Sequence, residues 1–175
     1  IIDSDQTLWI STAGQGIFEI KNEKLQNIYN MEDGLRSNNV RDLSMDNYGN
    51  LWIATNRGIS MFNGKIFKNY TESDGMPSEN VGSITVDKNG TVWFITPKGL
   101  TSYDGGEFST FDEKDGINIR AGANDPDVYA SDDGSIVIAQ SPMGVTIFKD
   151  GISKTLSKED GLKDTRVQDI DFDSK

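Results

Sequence analysis

Neither cysteine nor histidine occurs among the 175 residues. Without cysteine there are no disulfides, no thiol nucleophile and no thiolate metal ligands, though the compartment is left open. Without histidine, the side chain most used for acid–base catalysis near neutral pH and for transition-metal ligation is missing. Basic residues are also scarce: 17 Lys and Arg stand against 28 Asp and Glu, a formal charge of −11. A phosphate-backbone binder needs clustered cations, so this balance argues against nucleic acid and against an anionic membrane surface. No stretch approaches the ~18 apolar residues of a membrane-spanning helix. No starting Met and no secretion leader opens the chain, and both ends fall inside pieces of a repeat. The expectation is a part of something longer.

What the chain has is a beat of about 42 residues. Leu8-Trp9-Ile10, Leu51-Trp52-Ile53, Val92-Trp93-Phe94 and Ile136-Val137-Ile138 follow one another at steps of 43, 41 and 44. Asp33-Gly34-Leu35, Asp74-Gly75-Met76, Asp115-Gly116-Ile117 and Asp160-Gly161-Leu162 keep steps of 41, 41 and 45. Gly16-Ile17, Gly58-Ile59, Gly99-Leu100 and Gly144-Val145 form a third marker in the same order. Such self-similarity is the signature of a repeat architecture.

Within a repeat the apolar period is two. Val40, Leu43 and Met45 form a first run, Leu51 to Thr55 a second, Ile59 to Phe62 a third and Ile66 to Thr71 a fourth. Asp46 to Asn50, Asn56-Arg57-Gly58 and Asn63-Gly64 supply the turns between them. No dozen-residue window carries a helical stripe. Four short antiparallel strands per repeat is the arithmetic of a β-propeller blade, whereas a β-solenoid uses shorter repeats. The fold class is therefore all-β: a β-propeller segment of four-stranded antiparallel blades, the second-strand aromatic packing between neighbours. Repeats are read at 1–36, 37–77, 78–122 and 123–163. Residues 164–175, with Val167 to Phe172 at their centre, read as a first strand that closes blade one or begins another.

The run Asp33-Gly34-Leu35-Arg36-Ser37-Asn38-Asn39-Val40, with Asp46-Asn47-Tyr48-Gly49-Asn50-Leu51-Trp52-Ile53-Ala54-Thr55 after it, resembles the two-component regulator propeller repeat. Asp74-Gly75-Met76-Pro77-Ser78-Glu79-Asn80-Val81 to Trp93 matches nearly as well. The resemblance covers essentially the whole chain. The fourth repeat departs most, with Val137 in the Trp place and about three extra positions in 117–125. In that family the propeller is the extracytoplasmic (periplasmic) sensor portion of bacterial membrane-bound signalling proteins, most often hybrid histidine kinases, with oligosaccharide-type ligands. The resemblance thus implies a non-catalytic, carbohydrate-sensing module whose output lies elsewhere in a parent chain.

Other readings of the motifs are weaker. The acidic turns lack the twelfth-position Glu of an EF-hand loop, since Arg57 and Lys98 stand there. Asp and Asn favour turns without any metal, and neither metal nor cofactor is expected. A sialidase needs three converging arginines and a Tyr nucleophile, whereas Arg36, Arg41, Arg57, Arg120 and Arg166 are scattered over the repeats. A streptogramin-lyase type propeller depends on histidine. Trp9, Trp52 and Trp93, in repeat register with β-branched neighbours, read as seam packing ahead of sugar stacking.

The candidate ligand face is the one carrying the inter-blade connections and the turns between second and third strands, because loops there vary over a rigid scaffold. It collects Arg36, Arg41, Asn56, Arg57, Lys98, Arg120, Asn124 and Asp125, with Asn38 and Asn80 read as turn caps. A small-molecule or oligosaccharide ligand is one expected partner. Another copy of the chain or neighbouring blades is the other, in a competing reading as a structural, dimerising propeller.

Overall fold

The computed structural model describes residues 1–119 and 126–167. They form four antiparallel sheets, each a blade, in chain order. Blade one holds β1 (Leu8–Ser11), β2 (Ile17–Lys21) and β3 (Lys24–Tyr29). Blade two holds β4 (Val40–Met45), β5 (Leu51–Thr55), β6 (Gly58–Phe62) and β7 (Phe67–Tyr70). Blade three holds β8 (Ile84–Val86), β9 (Val92–Thr96), β10 (Gly99–Tyr103) and β11 (Phe108–Phe111). Blade four holds β12 (Asp127–Ala130), β13 (Ile136–Gln140), β14 (Gly144–Lys149) and β15 (Ile152–Leu156). The first strands β4, β8 and β12 lie against one another, so they are the inner ones. Blade one has no complete inner strand among the described residues; Ile2 pairs with Leu8 in that place. Of the expected closing strand within 164–175, residues 168–175 lie outside the described residues.

Each marker of the repeat has a mechanical reason. Asp46 Oδ1 accepts the backbone N–H of Tyr48 and of Asn50, both at 2.9 Å, which folds the turn between inner and second strands. Its Oδ2 accepts the indole N–H of Trp52 at 3.0 Å. Asp3 with Trp9 and Asp87 with Trp93 repeat this bond, each at 3.0 Å. In blade four both partners change together: Ser131 holds the Asp place and Val137 the Trp place.

The Asp-Gly marker is a one-turn 3-10 segment between blades. Asn30, Thr71, Asp112 and Ser157 cap it, and Asp33, Asp74, Asp115 and Asp160 reach back to the cap's N–H in a reciprocal pair. The following glycine turns left-handed, with φ of 105° at Gly34 and 97° at Gly75. That delivers Leu35, Met76 and Ile117 into the seams, at 2%, 4% and 1% exposure. The glycine opening each third strand is required more strictly. Gly58 has φ 114°, and a Cβ there would collide with the carbonyl of Tyr70 on the outer strand.

The core is a set of seams. Trp9 and Ile17 of blade one pack on Leu51, Ile53 and Phe62 of blade two. Trp52, Ile59 and Tyr70 of blade two pack on Val92, Phe94 and Tyr103 of blade three. Ile95 and Leu100 meet Ile136, Ile138 and Phe148 of blade four. The second-strand aromatics do sit between blades, with ring centroids 6.1 Å apart for Trp52 and Tyr103. Hydrogen bonds tie the rims as well. On one rim Gly58 N–H donates to Glu79 O at 2.6 Å. On the other Asn47 Nδ2 donates to Lys88 O at 3.1 Å and Lys88 Nζ to Asp132 O at 2.6 Å.

Candidate functional site

Antiparallel alternation puts the inter-blade connections and the turns between second and third strands on one rim, the upper one here. Arg36, from the connection into blade two, donates Nε to the Arg57 carbonyl at 3.0 Å. Its Nη2 lies 3.6 Å from Glu79 on the next connection. Ser37 donates its hydroxyl to Asn56 Oδ1 at 2.8 Å. The structure therefore brings Arg36, Asn56 and Arg57 together. Lys98 occupies the equivalent place to Arg57 one blade on, after Thr96, whose Oγ1 accepts the Lys98 N–H.

The candidate cations are not equivalent. Arg36 and Arg41 are engaged with backbone carbonyls, Arg41 Nη1 reaching Val81 O at 3.2 Å across the seam. Arg57 and Lys98 are exposed, and among the described residues their side chains make no hydrogen bond or ion pair. Asn38 accepts the Met31 N–H at 2.8 Å, so it does cap the turn. Asn80 does not: among the described residues its side chain makes no hydrogen bond, and its N–H is held by Ser78 Oγ. Arg120, Asn124 and Asp125 lie outside the described residues.

Below this rim the inner strands carry a polar group that the sequence reading missed. Ser83 Oγ sits 2.8 Å from Asp42 Oδ2 and 2.9 Å from Asp127 Oδ1, joining blades two, three and four. It also accepts the Val128 N–H at 3.1 Å, and Ile84 N–H donates to Asp42 Oδ2 at 2.8 Å. Burial pushes the Asp42 carboxyl above the ordinary aspartate value, against the lowering effect of these hydrogen bonds. A cleft of about 330 Å³ lies alongside, lined by Asp42, Ser44, Met45, Ile84, Asp127 and Tyr129 among others. The available signal was a polar residue in repeat register just before an apolar inner-strand residue: Asp42-Leu43, Ser83-Ile84, Asp127-Val128. The arrangement ties the inner strands of blades two, three and four to one another by side-chain hydrogen bonds.

Fold and site together define a β-propeller arc with a loop-built rim. Residues 34–57 and 75–98 match the two component regulator propeller model. A search of curated protein sequences gives no match. Among solved structures the chain is similar to the extracellular domain of a B. thetaiotaomicron protein described as a hybrid two component system. Identity is 20% and the TM-score 0.75, over 95% of this chain and 23% of that one. A second such B. thetaiotaomicron domain gives 18% identity and a TM-score of 0.71, over 98% and 24%. Virginiamycin B lyase from Staphylococcus aureus gives 17% and 0.69, over 89% and 53%. The chain thus spans about a quarter of the length of the first two. These likenesses establish the fold.

Proposed function

We propose that this chain is part of the extracytoplasmic sensor propeller of a bacterial two-component signalling protein, binding a carbohydrate-type ligand on its upper rim without catalysing a reaction itself. The observation that carries this reading is the match of two repeats to the two component regulator propeller model. Shared architecture with extracellular domains of described two component systems supports it, and supports an extracytoplasmic location. The lyase likeness carries less chemistry. One solved form of that enzyme is made inactive by a histidine-to-alanine change, and this chain has no histidine.

Uncommitted cations beside amides suit a hydroxyl-rich ligand, which takes several hydrogen bonds fixed in direction. Arg57 and Lys98 are the residues best placed for that role, with Arg36, Arg41 and Asn56 shaping the rim. A thermal-shift screen against neutral oligosaccharides tests the reading, because a ligand bound only by the folded state must raise Tm by mass action. Arg57→Ala with Lys98→Ala should abolish the shift while leaving the unliganded Tm within about two degrees, as for surface changes. A second reading, a dimerising propeller, draws on the exposed apolar residues of blade one: Ile10 at 37%, Ile28 at 45% and Leu25 at 53%. No shift with any glycan, together with a stable homodimer, would select it.

A further inference from the structure

Three tryptophans hold the same place in successive blades, but their seams are not finished alike. Trp9 and Trp52 are buried, at 8% and 7% exposure, whereas Trp93 is partly exposed. Trp52 is paired across the sheet with Met61, and Met61 with Lys68. At the seam between blades three and four the same places hold Ser102 and Ser109. Ser153 stands where Phe67 and Phe108 complete the ring stacks of the other two seams. A cleft of about 330 Å³ lies on the lower rim of this seam, lined by Trp93, Phe111 and Phe148, though not by these serines. That volume is at the small end of ligand sites, sized for one ring.

The polar side of this cleft is short of one donor. Asp46 Oδ2 accepts two side-chain bonds, from Trp52 Nε1 at 3.0 Å and from Asn50 Nδ2 at 2.8 Å. Asp87 Oδ2 accepts only that of Trp93 Nε1, because Thr91 replaces the Asn50 amide. Thr91, Asn89 and Asp150 also line the cleft, and among the described residues their side chains make no hydrogen bond.

We propose that this cleft binds a small polyhydroxylated ring, the size of one monosaccharide, with a C–H face against Trp93 and a hydroxyl donating to Asp87 Oδ2. Aromatic floor and unspent acceptor are complementary demands that an apolar ring or a simple ion meets only in part. The site lies on the rim opposite Arg57 and Lys98 and does not depend on ligand binding there.

The test is Trp93 emission during titration with methyl β-glucopyranoside and with myo-inositol, cyclohexanol serving as the ring without the hydroxyl array. A response with Kd on the order of 1 mM is expected for so small a ligand, and it should vanish in Trp93→Phe. Thr91→Asn restores the donor already used in blade two; binding should weaken at least tenfold with Tm unchanged or raised. Arg57→Ala and Lys98→Ala should leave binding unchanged, which separates this site from the upper rim. The proposal fails if neither polyol gives a Trp93-dependent signal, if cyclohexanol binds as well, or if Thr91→Asn binds like wild type.

Discussion

The indole of Trp52 is bonded to the carboxylate of Asp46 at 3.0 Å, so one residue both fills a seam and locks the turn six residues before it. Asp46→Ala removes four acceptor contacts at once: two backbone N–H groups, the Asn50 amide and the indole. A loss of about 2–3 kcal/mol is expected. Trp52→Phe keeps most of the packing and should cost less. Urea unfolding of the two variants checks this, and equal losses would mean the turn does not depend on Asp46.

Acid should unfold the protein partly through these turns. Burial pushes Asp46 up, but hydrogen bonds from Asn50, Trp52 and the backbone outweigh it and hold the carboxyl below the ordinary value. Asp3 behaves in the same way, through Trp9, Thr7 and Asp5. A depressed carboxyl contributes stability that is present above the unfolded-state pKa and lost as pH falls through the folded one. Asp46→Asn should therefore flatten the acid limb of the stability–pH curve below the ordinary aspartate range.

Asp42 pulls the other way. Its pKa is raised by burial, so its folded form keeps a proton that the unfolded chain releases. That contribution is complete below the unfolded-state value and declines as pH rises through the folded one. Asp42→Asn should remove this decline just above the ordinary aspartate range. A wild-type curve that rises through that window and is matched by the variant would contradict the assignment.

Glycine placement offers a sharper contrast. Gly58→Ala drives a methyl into the Tyr70 carbonyl at φ 114°, whereas Gly49→Ala, at φ 81°, meets open space. The first should cost about 3 kcal/mol or more and the second about 1 kcal/mol, the left-handed strain alone. Denaturant midpoints decide it.

Blade one predicts the solution behaviour. Leu8, Ile10, Ile20 and Leu25 hold the places of Leu51, Ile53, Phe62 and Phe67, which in blade two are covered by Trp9 and Tyr29. Ile10→Glu with Leu25→Lys should lower self-association of the chain in sedimentation, because exposed apolar patches seek partners. Association unchanged by both substitutions would place the contact elsewhere.

Blades and seams were legible because their cues are local or periodic. Asp46 and Trp52 are six residues apart, and the Asp-Gly turns repeat. The Asp42–Ser83–Asp127 group was not legible, since its members are 41 and 44 residues apart and each alone reads as an ordinary strand polar residue. The rim was legible as a location but not in its chemistry. Arg36 and Arg41 are spent on carbonyls set by the fold, whereas Arg57 and Lys98 are not, and no local motif separates the two pairs. The cleft at Trp93 was not legible either, because its lining comes from two blades, Asp87, Thr91 and Trp93 from one and Ile136 and Phe148 from the next.

The ties on both rims have a mechanical consequence. Gly58 holds Glu79 above and Asn47 holds Lys88 below, so blades two and three are pinned at opposite ends of one seam. Two separated pins remove the freedom to hinge that a single pin would leave. Like voussoirs in an arch, the two blades are held at both faces of the ring, so opening the seam from either rim has to break a bond on that rim first.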